Sequence, residues 1–372
     1  MTYATRVQQS SFRRISMISK EFFKNIDLVA EEKELTHDQV LEAFIQGMIA
    51  GCKKAHDVRS CRVEIKEEKN EINVYKQHLI VDEYSIDADK NYQQMLLDEA
   101  KEINPRIKVG DVLEQKIDPK DFGHFAVRDF KSRLNETLIT MQKENLYKHF
   151  KKFEHEMITA RVIDVTDEHY RLDIGKDLTT LLPKKEALPK DNFHVGDYVR
   201  VYVSDVEMKT KWPKVFVSRS HPSLIIRLLE SFIPEIKDGI IEVMGISRDP
   251  GDRSKIGVKS NDPKVDPIGA CVGEGGMRIR EIVKALSDEK IDLFRWSDNE
   301  KDLIANALQP AEVVAVTRVN PKEKTALAIV PDNQLSLAIG KLGQNVKLAV
   351  QACGWSIDIK SETMAQGEGI LY

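Results

Sequence analysis

The sequence predicts a multidomain α+β protein, and three observations carry that reading. A pattern occurs twice: residues 268–283 read IGACVGEGGMRIREIV and residues 335–350 read LSLAIGKLGQNVKLAV, aligned without a gap at an offset of 67, from Gly273 to Gly340. Residues 157–218 hold five short strand patterns separated by turn signals. Before them, helical and alternating patterns are mixed over residues 21–118. A repeat of fixed period sets the architecture before any single element is assigned.

A chain of 372 residues has room for two to four domains, each able to bury a core. Hydrophobic content of 41% and charged content of 31% are those of a globular protein. The net charge of −4 argues against a strong overall field for nucleic acid. Residues 1–119 carry 18 Lys and Arg against 22 Asp and Glu, 120–220 carry 19 against 16, and 221–361 carry 19 against 20. Any RNA binding therefore rests on local basic groups and backbone amides. Cys52, Cys61, Cys271 and Cys353 form no C-x-x-C pair, so zinc is not expected, and the pattern suits a reducing cytoplasm. Cys271 and Cys353 lie on apolar helical faces, as buried free thiols do. No apolar run approaches a membrane span. Residues 1–20 hold Arg6, Arg13, Arg14 and Lys20 and no acid, and read as a disordered leader or non-native extension.

Residues 21–155 read as an N-terminal module with a long connector helix. EFFKNIDLVAEEKEL has helical spacing, and Thr36 with Gln39 three residues on forms a capping box for the helix that follows. CRVEIKE and EINVYKQHLIV alternate as an antiparallel pair. A helix over 92–103 and a strand in VGDVLEQKI complete the module, whose acidic balance favours a protein partner. Residues 119–155 predict one long helix with Pro119 near its start.

Residues 156–220 predict a small closed barrel of the OB kind, from MITARVIDV, YRLDIG, TTLLP, DYVRVYVSDV and KVFVSRS. Such barrels hold single strands on aromatics and basic groups. Tyr170, Phe193, His194 and Tyr202 are the stacking candidates, with Lys184, Lys185 and Arg200 for phosphates. Core packing is at least as good an account of each aromatic alone.

Each repeat places its G-x-x-G between two helical segments, after two strands and before a third: residues 221–300 for the first and 301–361 for the second, with 362–372 as a tail. Glycines permit a tight turn and close approach of a partner backbone. The amides opening the second helix carry partial positive charge, which suits a phosphodiester. One such motif alone would be a plain helix corner; two in the same context are not. The arrangement resembles the prokaryotic-type (type II) KH domain, whose loop clamps about four nucleotides of single-stranded RNA. The resemblance implies RNA contacts at Gly273, Gly275, Gly276 and Arg278, and at Gly340, Lys341, Leu342, Gly343, Gln344, Asn345 and Lys347. Ile256 and Val258, with Ala328 and Ile329 in the second copy, are expected along the base groove, and Arg253 and Lys255 on the turn beside it. Glu274 sits where the second loop has Lys341, so Arg278 is expected to offset it and the second loop to bind more tightly.

Longer segments narrow the resemblance. SRSHP, IPEIKDGIIE, RDPGDRSKI, DPIGACVG, EKIDLFRWS and VPDNQLSLAIGKLGQNVKLA are similar to signature stretches of the NusA family of bacterial transcription factors, over residues 218–360. The barrel is similar to the RNA-binding module of ribosomal protein S1, and the N-terminal module agrees in FFKNID and DQVLEAF. The connector departs from the family, with His124 after Phe122-Gly123 where arginine is common. The chain ends soon after the second repeat, without the acidic repeats some members carry. The resemblance implies a cytoplasmic, monomeric transcription elongation, termination and antitermination factor. Its partners would be RNA polymerase core and nascent single-stranded RNA, with other antitermination factors as further candidates and no membrane.

No phosphate-binding G-x-x-x-x-G-K-[ST], metal-ligand helix pair or nucleophile elbow is present, so neither enzymatic activity nor a metal or cofactor is expected. A ribosome- or RNA-decay-associated RNA-binding protein is the alternative built from the same modules. A nucleotide-binding enzyme is the rival from another class, and a shift of melting temperature by ATP or GTP would reveal it.

Overall fold

The computed structural model describes residues 20–85 and 90–372, so the expected leader lies outside the described residues. The chain divides into two compact units, residues 1–148 and 149–372.

In the first unit, α1 (Lys20–Lys33) and α2 (His37–His56) precede β1 (Ser60–Lys66) and β2 (Glu71–Val81). Then come β3 (Gln93–Leu96), α3 (Leu97–Ile103), β4 (Val112–Ile117) and α4 (His124–Lys151). The capping box forms: the Gln39 amide donates to Thr36 Oγ1 at 3.2 Å and the Thr36 amide to Gln39 Oε1 at 3.0 Å. Strand β2 is central, antiparallel to β1 and β4 and parallel to β3. Two expectations are corrected. The segment 92–103 opens as a strand, since Gln93–Leu96 pairs with the end of β2 before the helix starts. Pro119–Asp121 makes a separate 3₁₀ turn, and the long helix begins only at His124. Cys52 and Cys61 are joined as a disulfide that ties the end of α2 to β1, a bond that the expectation of a reducing cytoplasm did not foresee.

The second unit opens with a five-stranded antiparallel sheet: β5 (Met157–Val165), β6 (His169–Asp173), β7 (Thr179–Pro183), β8 (Tyr198–Glu207) and β9 (Lys214–Ser218). The order is β7-β6-β5-β8-β9, and the Thr180 hydroxyl donates to the Val215 carbonyl across the seam between β7 and β9. Inward residues such as Val162, Leu172, Leu182, Val201 and Val217 fill the near-barrel.

The first repeat comprises α5 (Ser223–Phe232), α6 (Pro234–Lys237), β10 (Ile241–Asp249), β11 (Arg253–Ser260), α7 (Pro267–Val272), α8 (Met277–Ala285) and β12 (Lys290–Arg295). The second comprises α9 (Glu300–Ala307), β13 (Ala315–Asn320), β14 (Thr325–Val330), α10 (Leu335–Ile339), α11 (Gln344–Cys353), β15 (Ser356–Ser361) and α12 (Glu362–Gly367). Each sheet has its middle strand antiparallel to the first and parallel to the last.

The repeats stack in layers. Helices α5, α7 and α8 bury Leu224, Leu228, Cys271 and Ile282 against Ile256 and Val258 on one face of the first sheet. The opposite face receives the second repeat: Phe294 and Trp296 share a core with Leu303, Ile304, Ala307, Ala352 and Cys353. Gly245 makes this approach possible, because a Cβ there would lie 2.0 Å from the Ala352 carbonyl oxygen. Beyond the second sheet, Ala365 of α12 and Ile370 cover Leu327 and Ile329. The expected tail therefore begins as a packed helix.

Two ion pairs are buried, one joining the barrel to the first repeat and one inside the first repeat. Arg219 donates to both carboxylate oxygens of Asp191, at 2.7 and 2.9 Å, and to the Ala285 carbonyl at 3.1 Å. Arg248 grips Glu289, which also accepts from the Gly251 amide and the Ser254 hydroxyl. Every oxygen of these carboxylates is used, which is what burial of charge demands.

Candidate nucleic-acid interface

The two glycine loops have nearly the same backbone. Gly273 and Gly340 adopt φ 73°, ψ 172° and φ 77°, ψ 172°. The third position is left-handed in both, at Gly275 (φ 55°) and Leu342 (φ 53°), and so is the fourth, at Gly276 (φ 75°) and Gly343 (φ 74°). Glycine is required at the first position for a second reason: a Cβ would lie 2.8 Å from Arg278 Cγ in one loop and 2.7 Å from the Asn345 amide nitrogen in the other. Leu342 holds a strained conformation for a side chain that is 98% exposed. Neither α8 nor α11 has a side-chain cap at its start; the first amide of each turns back on the loop, Met277 donating to the Glu274 carbonyl and Gln344 to the Lys341 carbonyl, and no side-chain oxygen caps the turn that follows. That leaves two matched positive ends suited to backbone phosphates.

The side chains around the loops divide sharply. Lys341 and Lys347 are exposed at the second loop. Arg278 is not directed at Glu274: its Nη1 donates to Glu235 at 2.8 Å and to the Ala270 carbonyl at 2.8 Å, bracing the first loop from behind. The exposed guanidinium beside Gly276 belongs to Arg280, which the sequence reading missed. Asn345 occupies the place of Arg278 in the second repeat, buried, with its amide donating to the carbonyls of Leu308 and Ala338. Gln344 is tied to Asp249 and Asp252 of the first repeat, at 2.9 and 2.6 Å.

The expected groove is corrected. Ile256, Val258, Ala328 and Ile329 are fully buried in the sheet cores and line nothing accessible. Lys255 is 1% exposed, and its Nζ donates to the carbonyls of Ala307 at 2.8 Å and Gln309 at 2.6 Å, where burial pushes its ammonium down to about 8. It holds the carboxyl end of α9 and cannot meet RNA. Arg253 stays near the surface, paired with Asp292 at 2.7 Å. An open cleft of about 790 Å³ lies beside the first loop. Ile268, Val272, Ile279, Ile291 and Leu293 form its apolar floor, and residues 305–313 of the second repeat form its far wall.

On the barrel, Tyr170 and Tyr202 are core residues. Tyr170 donates its hydroxyl to the Asp191 carbonyl and carries Lys184 Nζ 3.5 Å from its ring centroid. Tyr202 stacks on His221 at 4.5 Å. Phe193 is half-buried, edge-on to Tyr170 and under Arg219, and Arg200 lies over Phe232. Lys185 and His194 remain exposed. The outward face of the sheet instead presents Tyr198 beside Arg161, and Leu181 beside Arg171. The loop between β8 and β9 presents Trp212. Alternation separates buried Tyr170 from exposed Arg171 on β6, but Tyr198 and Tyr202 share a parity on β8, and Tyr202 is buried because α5 and His221 cover it.

Among the described residues no group of three or more His, Cys, Asp or Glu could hold a metal. Burial pushes the Cys271 thiol up to about 12 and raises Cys353, so both are inert thiols.

An α+β module, an OB-type barrel and two stacked repeats with matched glycine loops define a multi-module protein of the single-strand-binding class. Family models match in the same order: the NusA N-terminal domain over residues 21–144, an S1 domain over 156–205, the NusA-like first KH domain over 219–296 and the NusA-like second KH domain over 300–367. The chain is 40% identical over 355 residues to the transcription termination/antitermination protein NusA of Halalkalibacterium halodurans, covering 95% of this chain and 91% of that one. It is 39% identical to NusA of Bacillus subtilis, with 95% and 94% covered, and 33% identical to that of Thermus thermophilus, with 91% and 89% covered. The chain belongs to the NusA family.

Proposed function

We propose that this chain is a transcription termination and antitermination factor that holds emerging single-stranded RNA beside RNA polymerase. The observation that carries the RNA half is the pair of glycine loops, alike in backbone and both opening uncapped helices. Phosphates bind at the glycine loops and the helix starts behind them, and bases reach the cleft that opens beside the first loop. Contributions from two weak loops on one stack combine, because the second engages at high effective concentration.

The polymerase half rests on membership of a family whose relatives carry this name, and it assigns polymerase binding to the N-terminal unit. The chain then works as a tether in the cytoplasm: it biases hairpin formation and pausing without making or breaking a bond, as a monomer. Pull-down of RNA polymerase core with the full chain and with residues 149–372 tests this. Binding by the full chain that is lost with the first unit supports the tether. Absence of binding by both leaves an RNA-binding protein without the polymerase role.

A further inference from the structure

The cleft beside the first loop has an apolar floor and an unusual rim. Asp292 gives one carboxylate oxygen to Arg253 at 2.7 Å, which leaves the other able to accept. Asn306 uses its amide nitrogen on the Arg295 carbonyl at 3.0 Å, which leaves its oxygen as the end that can accept. Glu312 lines the cleft, is exposed, and has no ion pair among the described residues. Gln309 alone adds an amide that can both donate and accept. None of the described residues that line the cleft is a Lys or Arg, and the guanidinium that meets Asp292, that of Arg253, is held by it. The rim is thus rich in acceptors and poor in donors.

A flat apolar floor suits the face of an unstacked base, and Val272 leads directly into Gly273, whose loop would hold that base's phosphate. Carboxylates and amide oxygens accept from the exocyclic amino groups of adenine and cytosine. Uracil offers one N–H flanked by two carbonyl oxygens, which two carboxylates repel. We infer that the rim formed by Asp292, Asn306 and Glu312 makes this cleft select a base bearing an exocyclic amino group over uracil, and that the second repeat supplies the selecting wall of the first repeat's groove. This rests on the RNA reading above.

The test uses the full chain and short labelled oligo(A), oligo(C) and oligo(U), with affinities read by fluorescence anisotropy at fixed salt. Oligo(A) and oligo(C) are expected to bind about tenfold more tightly than oligo(U). Glu312→Ala is expected to shrink that ratio, and Glu312→Lys, which places a donor at the rim, to shrink it further. Glu312 is exposed, so melting temperatures that match the unmodified chain show that the variants fold. Equal affinity for all three oligonucleotides, or a ratio unchanged in both variants, overturns the rim assignment while RNA binding stands. If none of the three binds, the RNA reading falls and the rim assignment with it.

Discussion

Lys255 Nζ lies 2.6 Å from the Gln309 carbonyl oxygen, so a lysine on the middle strand of the first repeat holds the wall that the second repeat contributes to the cleft. The ammonium also takes the Ala307 carbonyl, which ends α9, and a cation is favoured at a helix carboxyl end. Burial nonetheless penalises the charge. Asp292 and Arg253 face it from β12 and β11, and Cys353 from α11.

Because burial lowers the Lys255 pKa from 10.5 to about 8, the folded state binds fewer protons than the unfolded state between those values. Stability attributable to this group is therefore present above pH 10.5 and lost as pH falls through about 8. Lys255→Met has nothing to titrate. The stability difference between the unmodified chain and Lys255→Met should shift in favour of the unmodified chain from pH 7.5 to 9.5, read as paired thermal melts. A difference that is flat with pH would show that the ammonium is not desolvated.

The Arg248–Glu289 pair should behave asymmetrically. Glu289→Ala strips the partner from a buried guanidinium and leaves the Gly251 amide and Ser254 hydroxyl without their acceptor. A loss of about 3–5 kcal/mol is expected in denaturant unfolding of the second unit. A loss below about 1 kcal/mol, the size seen for exposed pairs, would mean that water reaches the site.

These nodes show where sequence reading stops. The order of strands, helices and glycine pairs was legible, because left-handed positions such as Gly273 and Gly340 demand glycine and strands alternate with period two. Which face of a strand becomes the groove was not. Alternation separates Lys255 and Gly257 from Ile256 and Val258, yet β11 is central and covered on both faces, by α5, α7 and α8 on one and by α9 and α11 on the other. Arg278 looked free because its partner, Glu235, lies 43 residues away in sequence. Arg280, two residues on, carries the exposed charge.

The Cys52–Cys61 disulfide closes a short loop, since the two are nine residues apart. Such a link stabilises by about 2 kcal/mol, mainly by restricting the unfolded chain. Purified chain should therefore lose melting temperature in its first unit on reduction, and Cys52→Ser should abolish the response. An unchanged melt in reductant, together with four titratable thiols in the denatured chain instead of the two of Cys271 and Cys353, would show that the pair is reduced in solution.

The glycine loops differ in charge more than in shape, and this decides which should dominate RNA affinity. Lys341 stands where the first loop has Glu274, and Arg278 is committed to Glu235, which leaves Arg280, exposed beside Gly276, as the neighbouring guanidinium of that loop. Glu274→Lys should raise RNA affinity, and Lys341→Asp should lower it more than Gly276→Asp does. Gly276 has a positive φ, so its substitution also strains the turn; equal loss in Gly276→Asp and Lys341→Asp would mean that the first loop contributes as much as the second. Each added or removed phosphate contact changes the slope of log affinity against log salt by about 1. Anisotropy titrations across a salt series should show a steeper slope for Glu274→Lys and a shallower one for Lys341→Asp. A lower affinity of Lys341→Asp at an unchanged slope would assign Lys341 to positioning the loop rather than to contacting phosphate.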